Sequence, residues 1–104
     1  MKRIIEGKRY DTETADLVAD WWNKQGCNDF GYCAEDLYRT KKGVFFLYGR
    51  GGALSKYAVS VGDNGMGGSS EIIPMSEREA RQWMEDHDCT EELEKFFGQD
   101  IQDA

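Results

Sequence analysis

Two short runs that favour β-structure lie at residues 36–40 and 44–48, separated by Lys41-Lys42-Gly43. Runs of this kind, joined by a short link that contains glycine, are typical of β-hairpins. Side chains alternate between the two faces of a strand, so Phe45 and Phe46 must point in opposite directions. At least one row of aromatic side chains therefore enters a hydrophobic core. The sequence predicts an antiparallel sheet as the base of the fold.

The N-terminal part of the chain predicts a strand and then a helix. Residues 2–5 favour a strand that turns at Gly7. Asp11 or Thr12 is a candidate N-cap for a helix over residues 13–24, in which apolar side chains recur at spacings of three and four. After the hairpin, residues 55–61 alternate as a third strand of the meander.

The segment 62–70 contains four glycines and is predicted to be a surface loop. Ser76 and Glu79 after it have the spacing of a capping box, which marks the start of a helix. One face of that helix carries Ala80, Trp83, Met84 and His87. Thr90 is predicted to cap a last short helix, from which Leu93, Phe96 and Phe97 point inward.

These elements predict a single α+β domain over residues 1–104, because a chain of this length supports one core of ordinary size. We expect a three- or four-stranded antiparallel sheet, with one N-terminal helix and two C-terminal helices packed on one face.

The negative charge of the chain is concentrated at its C-terminal end. Residues 1–76 hold equal numbers of acidic and basic side chains, so residues 77–104 carry the whole formal charge of -7. Within residues 85–94 there are six acids and no Lys or Arg: Glu85, Asp86, Asp88, Glu91, Glu92 and Glu94. A helix of that length spans about 15 Å, on which duplex DNA carries about nine phosphate charges.

Two interpretations of this acidic segment are open. One is a solvated exterior that keeps the protein soluble. The other, which we prefer, is an interaction surface that occupies a basic nucleic-acid groove on another protein, with electrostatic steering of the encounter.

The middle of the chain has the opposite charge pattern. No acid occurs between Asp36 and Asp63, where the cations are Arg39, Lys41, Lys42, Arg50 and Lys56. Aromatic residues lie among them, a combination that binds single-stranded nucleic acid in other proteins. A small nucleic-acid-binding module that uses this basic hairpin is therefore the alternative hypothesis. The negative total charge makes direct binding to nucleic acid the weaker prediction.

No catalytic residue, metal or cofactor is predicted. Asp16 and Asp20 would share one face of the predicted N-terminal helix, where an ion pair with Lys24 explains them as well as catalysis does. The sequence Gly49-Arg50-Gly51-Gly52 lacks the spacing of a phosphate-binding loop and is predicted to be a tight turn.

The three cysteines, Cys27, Cys33 and Cys89, are too few for a disulfide framework and are expected to be buried free thiols. With His87 they supply the residue types of a zinc site, but their spacing departs from that of known zinc sites. His87 is instead expected to lie at a helix end and to contact the core.

The longest apolar run is the four residues 44–47, far below the roughly 20 residues that span a membrane. The chain does not open with a signal-peptide pattern. These features predict a cytoplasmic protein without a membrane segment.

Three motifs together indicate a family resemblance. They are Tyr-Asp-Thr-Glu-Thr-Ala at residues 10–15, the hairpin with its glycines at 37–52, and Ile-Pro-Met-Ser-x-x-Glu-Ala-x-x-Trp at 73–83. The chain resembles small proteins carried by bacterial phages and integrative elements, a group that includes anti-defence proteins and some anti-CRISPR inhibitors. The resemblance implies a mobile-element setting and a non-enzymatic role. A bacterial defence protein such as a CRISPR nuclease would then be the partner.

Overall fold

The computed structural model describes residues 1–63 and 65–104. Asn64, within the predicted glycine-rich loop 62–70, lies outside the described residues. Along the chain, the strands are β1 (Lys2–Ile5), β2 (Lys8–Asp11), β3 (Asp16–Trp22), β4 (Cys33–Arg39), β5 (Phe45–Gly51), β6 (Val59–Ser60), β7 (Met66–Gly67) and β8 (Ser69–Met75). The helices α1 (Glu77–Asp86) and α2 (Thr90–Phe97) follow, and a short 3-10 turn covers Gly98–Asp100.

The protein is α+β, with a four-stranded antiparallel sheet in the order β3-β4-β5-β8. The predicted hairpin is confirmed as β4 and β5, with Leu37 opposite Leu47. Gly43 closes the turn with a φ of 88°, in the left-handed region where glycine is favoured, and its N–H donates to the Thr40 carbonyl. The predicted N-terminal strand is also confirmed, since β1 and β2 form a second hairpin.

The predicted N-terminal helix over residues 13–24 is wrong, because β3 occupies this stretch as an edge strand. Asp11 does cap one turn: its side chain accepts from the Glu13 N–H, and its carbonyl accepts from the Ala15 N–H at 3.1 Å. The turn does not continue as a helix. A β-bulge follows at Val18, between Leu17 and Ala19, so that Val18 and Ala19 both pack against the core. The remaining members of the predicted helical stripe are placed elsewhere, since Ala15 packs with the cluster of Tyr10 and Trp22 is exposed.

The third strand predicted over residues 55–61 is largely wrong. Only Val59–Ser60 is a strand, and it pairs with Met66–Gly67 outside the main sheet. The fourth strand of the main sheet is β8, which pairs with β5 and includes Pro74. An edge strand tolerates proline, because one of its sides has no neighbouring strand to accept a backbone hydrogen bond.

The two faces of the main sheet are covered by different elements. One face packs against α1 and α2, in a core that includes Leu37, Phe45, Trp83, Met84 and Phe97. The β1–β2 hairpin covers part of the other face, where Tyr10 packs on Phe46 and Ile72. The two C-terminal helices therefore lie on one face as predicted. The N-terminal helix predicted beside them on that face is absent, and the β1–β2 hairpin covers the opposite face.

Both predicted C-terminal helices are present. Ser76 accepts from the Glu79 N–H, and the Glu79 carboxylate accepts from the Ser76 N–H, so the predicted capping box is confirmed. The second helix already includes Thr90, and Cys89 occupies its N-cap position without a side-chain cap, so the predicted capping role of Thr90 is wrong.

Candidate functional site

The six predicted acidic residues lie at the end of α1, in the turn that follows, and on α2. We call this set, Glu85, Asp86, Asp88, Glu91, Glu92 and Glu94, the acidic surface. Glu92 is half-buried and the other five side chains are exposed. In the described part of the chain, none of the six forms an ion pair, and Asp86 accepts one hydrogen bond, from Gln82. Their charges therefore remain available to a partner.

The turn between the helices holds this acidic surface in a fixed geometry. Asp88 has a φ of 56°, the left-handed conformation in which helices commonly end. The Cys89 N–H then donates to the Met84 carbonyl at 2.9 Å, and the Asp88 N–H donates to the Glu85 carbonyl at 3.3 Å. This is the hydrogen-bond pattern of a Schellman motif. It fixes the direction of α2 relative to α1.

His87 anchors the same turn to the sheet, as the sequence predicted for a helix-end histidine in contact with the core. Its ring lies 4.6 Å from that of Trp21 on β3 and 4.5 Å from that of Trp83 on α1, measured between ring centroids. Burial raises the pKa of the neighbouring Cys89 thiol, and the charges of Glu92, Asp20 and Asp88 raise it further.

Most cations of the predicted basic hairpin are engaged within the protein. Lys41 pairs with Asp16 at 2.8 Å, Arg50 with Asp36 at 2.9 Å, and Lys56 with Glu35 at 2.7 Å. Arg39 lies over the rings of Phe45 and Phe96, each 5.7 Å away. Lys42 is exposed and has no acidic partner among residues 1–63 and 65–104. The structure therefore does not form a continuous positive surface from the five predicted residues.

Asp16 and Asp20 are both on β3, and the structure gives them different surroundings. Asp16 is exposed and pairs with Lys41, whereas Asp20 lies opposite Asp36 in the β3–β4 register. The ion pair with Lys24 that a helix would have allowed does not form, because a strand does not bring residues four apart together.

The structure also contains a buried charged group that the sequence analysis missed. Glu35 on β4 is fully buried and accepts hydrogen bonds from the Tyr57 hydroxyl and from Trp83 Nε1, the latter at 2.9 Å. Lys56 Nζ lies 2.7 Å from the same carboxylate. Burial alone would raise the pKa of Glu35, but hydrogen bonds from Lys56, Tyr57 and Trp83 hold it below its usual value. Burial and the bond to this carboxylate raise the pKa of Tyr57.

Glycines on β5 make room for Tyr57 to reach Glu35. A Cβ atom at Gly49 would lie 1.9 Å from the Tyr57 hydroxyl, and one at Gly51 would lie 2.2 Å from the Ser55 hydroxyl. The run 49–52 is therefore not the predicted tight turn. Gly49 and Gly51 are part of β5, and the segment after it lies directly against their backbone. The sequence did contain a signal for the burial of Glu35. Glu35 alternates with Cys33 and Leu37 along β4, so the three side chains share one face of the strand, and all three are buried.

His87 gives this site a testable dependence on pH. Burial lowers its pKa, and the nearby charges of Glu35 and Asp86 oppose that effect only in part. As the pH falls through the ordinary histidine pKa of about 6.5, His87 takes up a proton in the unfolded chain. In the folded protein the same side chain stays neutral until the pH is lower. We expect the free energy of unfolding to fall as the pH decreases from about 7.5 to about 5.5.

Urea unfolding at several pH values measures this effect, and His87→Gln supplies the matched control. His87 is the one histidine of the chain, so the variant should show a flatter profile over the same range. Stability that rises on acidification would contradict the prediction, because it would mean that protonated His87 gains more from Glu35 at 3.7 Å than it loses by burial.

The cysteines are free thiols, but burial differs among them: Cys33 is buried, Cys89 is half-buried and Cys27 is exposed. The prediction that all three are buried is wrong for Cys27, which lies in the irregular segment between β3 and β4.

Among the residues that the structure describes, no group of three or more His, Cys, Asp or Glu side chains is arranged to hold a metal ion. No helix in the described ranges is long and apolar enough to cross a membrane.

The fold and the site together define a small α+β protein that presents an acidic helix turn on one face of its sheet. Comparisons with protein families, with curated proteins and with solved structures gave no match. The resemblance to mobile-element proteins therefore stays a prediction based on the sequence motifs.

Proposed function

We propose that this chain is a non-enzymatic protein of a mobile element that binds and inhibits a bacterial defence protein, such as a CRISPR nuclease. The acidic surface would occupy the groove in which that protein holds nucleic acid. The observation that carries the proposal is the contrast in pairing between the two charged regions. The six carboxylates of the acidic surface have no ion-pair partner in the described residues, whereas four of the five hairpin cations are engaged with carboxylates or aromatic rings.

The geometry of the turn supports the same function. In a groove that binds nucleic acid, the cations are arranged to match the spacing of phosphates. A protein that competes for this groove binds better when its carboxylates are held at fixed positions. The Schellman turn and the packing of His87 between Trp21 and Trp83 hold the acidic surface in this way. Ordering this surface on binding would then cost little conformational entropy.

A capture experiment with a purified guide-RNA nuclease tests the proposal. The double variant Glu91→Lys with Glu92→Lys should weaken capture at least about tenfold, because it replaces attraction with repulsion at the centre of the acidic surface. Capture of the unchanged protein should weaken as salt rises from about 50 to about 500 mM, since exposed charges are screened.

The matched control is Glu6→Lys with Glu13→Lys, which changes the net charge equally on the opposite side of the sheet. Both side chains are exposed, at the β1–β2 turn and just after β2. This control should retain capture. Equal losses in the two double variants would contradict the proposal, because they would mean that total charge and not the acidic surface determines binding.

The alternative function, direct binding of nucleic acid, is tested by a gel shift at low salt with single-stranded and duplex oligonucleotides. We expect no shift. A shift abolished by Lys41→Glu with Lys42→Glu would favour the basic hairpin over the acidic surface.

A further inference from the structure

A cleft of about 380 Å³ opens on the sheet face opposite the helices. The β1–β2 hairpin covers this face where Tyr10 packs on Phe46 and Ile72, and it leaves the β3–β4 end of the face open. The residues that matter for the cleft are Asp20, Trp22, Tyr32, Ala34, Asp36 and Arg50, all of which line it.

The strand register explains the shape of the cleft. Trp22 on β3 is directly opposite Ala34 on β4, and Ala34 is directly opposite Arg50 on β5. Ala34 is buried and small, so it forms a floor, while the Trp22 side chain beside it stays 55% exposed. A large aromatic side chain left in water next to a cavity is typical of a binding site, because tryptophan contributes most where a partner buries it.

The charges of the cleft favour a cationic ligand. Asp20 and Asp36 are directly opposite each other, an arrangement that destabilises a pair of strands. Arg50 compensates the charge of only one of the two, Asp36. Its Nη1 lies 2.9 Å from Asp36 Oδ2, and its guanidinium lies over the Tyr48 ring. Asp20 is exposed and has no cationic partner in the ranges that the structure covers. A positive group that entered beside Trp22 would compensate the negative charge of Asp20.

We propose that this cleft binds an arginine side chain of the partner protein, with Asp20 accepting hydrogen bonds from the guanidinium and Trp22 stacking on its plane. Arginine fits better than lysine, because its planar group both stacks on an indole and donates two parallel hydrogen bonds to a carboxylate. A phosphate fits worse, because Arg50 already donates to Asp36 and Asp20 would repel the anion.

This inference rests on the proposed function, because it takes the partner to be a protein with a basic groove. It adds to that function a specific residue class and a second region of contact. The cleft and the acidic surface are on different faces of the sheet, with the edge strand β3 between them: Trp21 packs on His87 of the helix turn, and the neighbouring Asp20 and Trp22 line the cleft. One partner could therefore contact the helix turn and reach around the β3 edge into the cleft.

Nuclear magnetic resonance of the isotopically labelled full chain tests the cleft directly. The probe is a pentapeptide with two arginines, and its matched control is the same peptide with neutral citrulline in both places. The arginine peptide should shift the Trp22 indole signal and the backbone amides of residues 20–22 and 33–36, and the citrulline peptide should not. Asp20→Asn and Trp22→Ala should each reduce the affinity for the arginine peptide about tenfold.

Asp16→Asn is the matched control variant, because it removes the same charge from β3 at an exposed position paired with Lys41, away from the cleft residues. It should leave the affinity for the peptide unchanged. Equal shifts from the two peptides would overturn the inference, as would shifts confined to residues 85–94.

The outcomes separate this inference from the proposed function. Peptide shifts confined to residues 85–94, together with nuclease capture that depends on Glu91 and Glu92, would reject the cleft and leave the function supported. Arginine-specific shifts in the cleft without capture of any guide-RNA nuclease would reject that function and leave the arginine site standing.

Discussion

Replacement of Glu35 by alanine is expected to reduce the free energy of unfolding by about 2–6 kcal/mol, because each of the two buried hydrogen-bond donors that lose their acceptor costs about 1–3 kcal/mol. The substitution leaves the Tyr57 hydroxyl and Trp83 Nε1 without their acceptor, and Lys56 without its carboxylate. Unpaired polar groups in a protein interior retain the cost of losing their water. Since small domains have a total stability of about 5–15 kcal/mol, the variant should be close to unfolding.

Urea unfolding followed by tryptophan fluorescence measures this loss. Asp16→Ala provides the comparison, because it removes a carboxylate whose ion pair with Lys41 is exposed, with 67% of the Asp16 side chain accessible. Exposed pairs contribute about 0–1 kcal/mol. If Glu35→Ala cost no more than Asp16→Ala, the buried network around Glu35 would not stabilise the fold.

Replacement of Gly49 by alanine should cost about 3 kcal/mol, at the upper end of the usual range for overpacking a core. The added methyl group would lie 1.9 Å from the Tyr57 hydroxyl oxygen and 2.0 Å from the ring carbon that bears it. Tyr57 is buried and hydrogen-bonded to Glu35, so it cannot move aside without breaking that bond.

Gly98→Ala is the control for this prediction, because a Cβ at Gly98 meets no atom within 4 Å. It should change stability by less than about 1 kcal/mol. A double-mutant cycle with Tyr57→Ala gives a sharper test, since removal of the ring removes the clash, and Gly49→Ala should then cost much less. Additive losses in that cycle would contradict a direct contact between Gly49 and Tyr57.

The sequence predicted the elements whose signals are local. The β4–β5 hairpin follows from two β-rich runs and Gly43, and α1 follows from the Ser76 and Glu79 capping box. The core positions Ala80, Trp83 and Met84 follow from helical periodicity alone. These predictions hold because each signal acts within a few residues and agrees with the tertiary structure around it.

The prediction of an N-terminal helix failed because two features of the chain imitate a helix at residues 13–24. Asp11 forms a true cap, but for a single turn, and the bulge at Val18 then gives β3 an irregular order of inward side chains. Pairing with β4 makes this segment a strand, and that pairing cannot be predicted from the sequence of β3 alone.

The site was predicted in part. The acidic surface could be located from composition, whereas the pairing of the hairpin cations could not, because Arg50 and Lys56 meet Asp36 and Glu35 across strands and loops. The reach of Tyr57 over Gly49 is likewise a contact between distant parts of the fold. Such contacts determine which charges remain free for a partner.

In the proposed function, the acidic surface makes the contact with a basic partner. Zero-length cross-linking of carboxylates to amines in the captured complex, followed by mass spectrometry, identifies the carboxylates that lie at the contact. Cross-links to lysines of the partner should come from Glu85, Asp86, Asp88, Glu91 and Glu94, the exposed members of the acidic surface. Cross-links that come instead from Glu6 and Glu13, with none from residues 85–94, would contradict the claim.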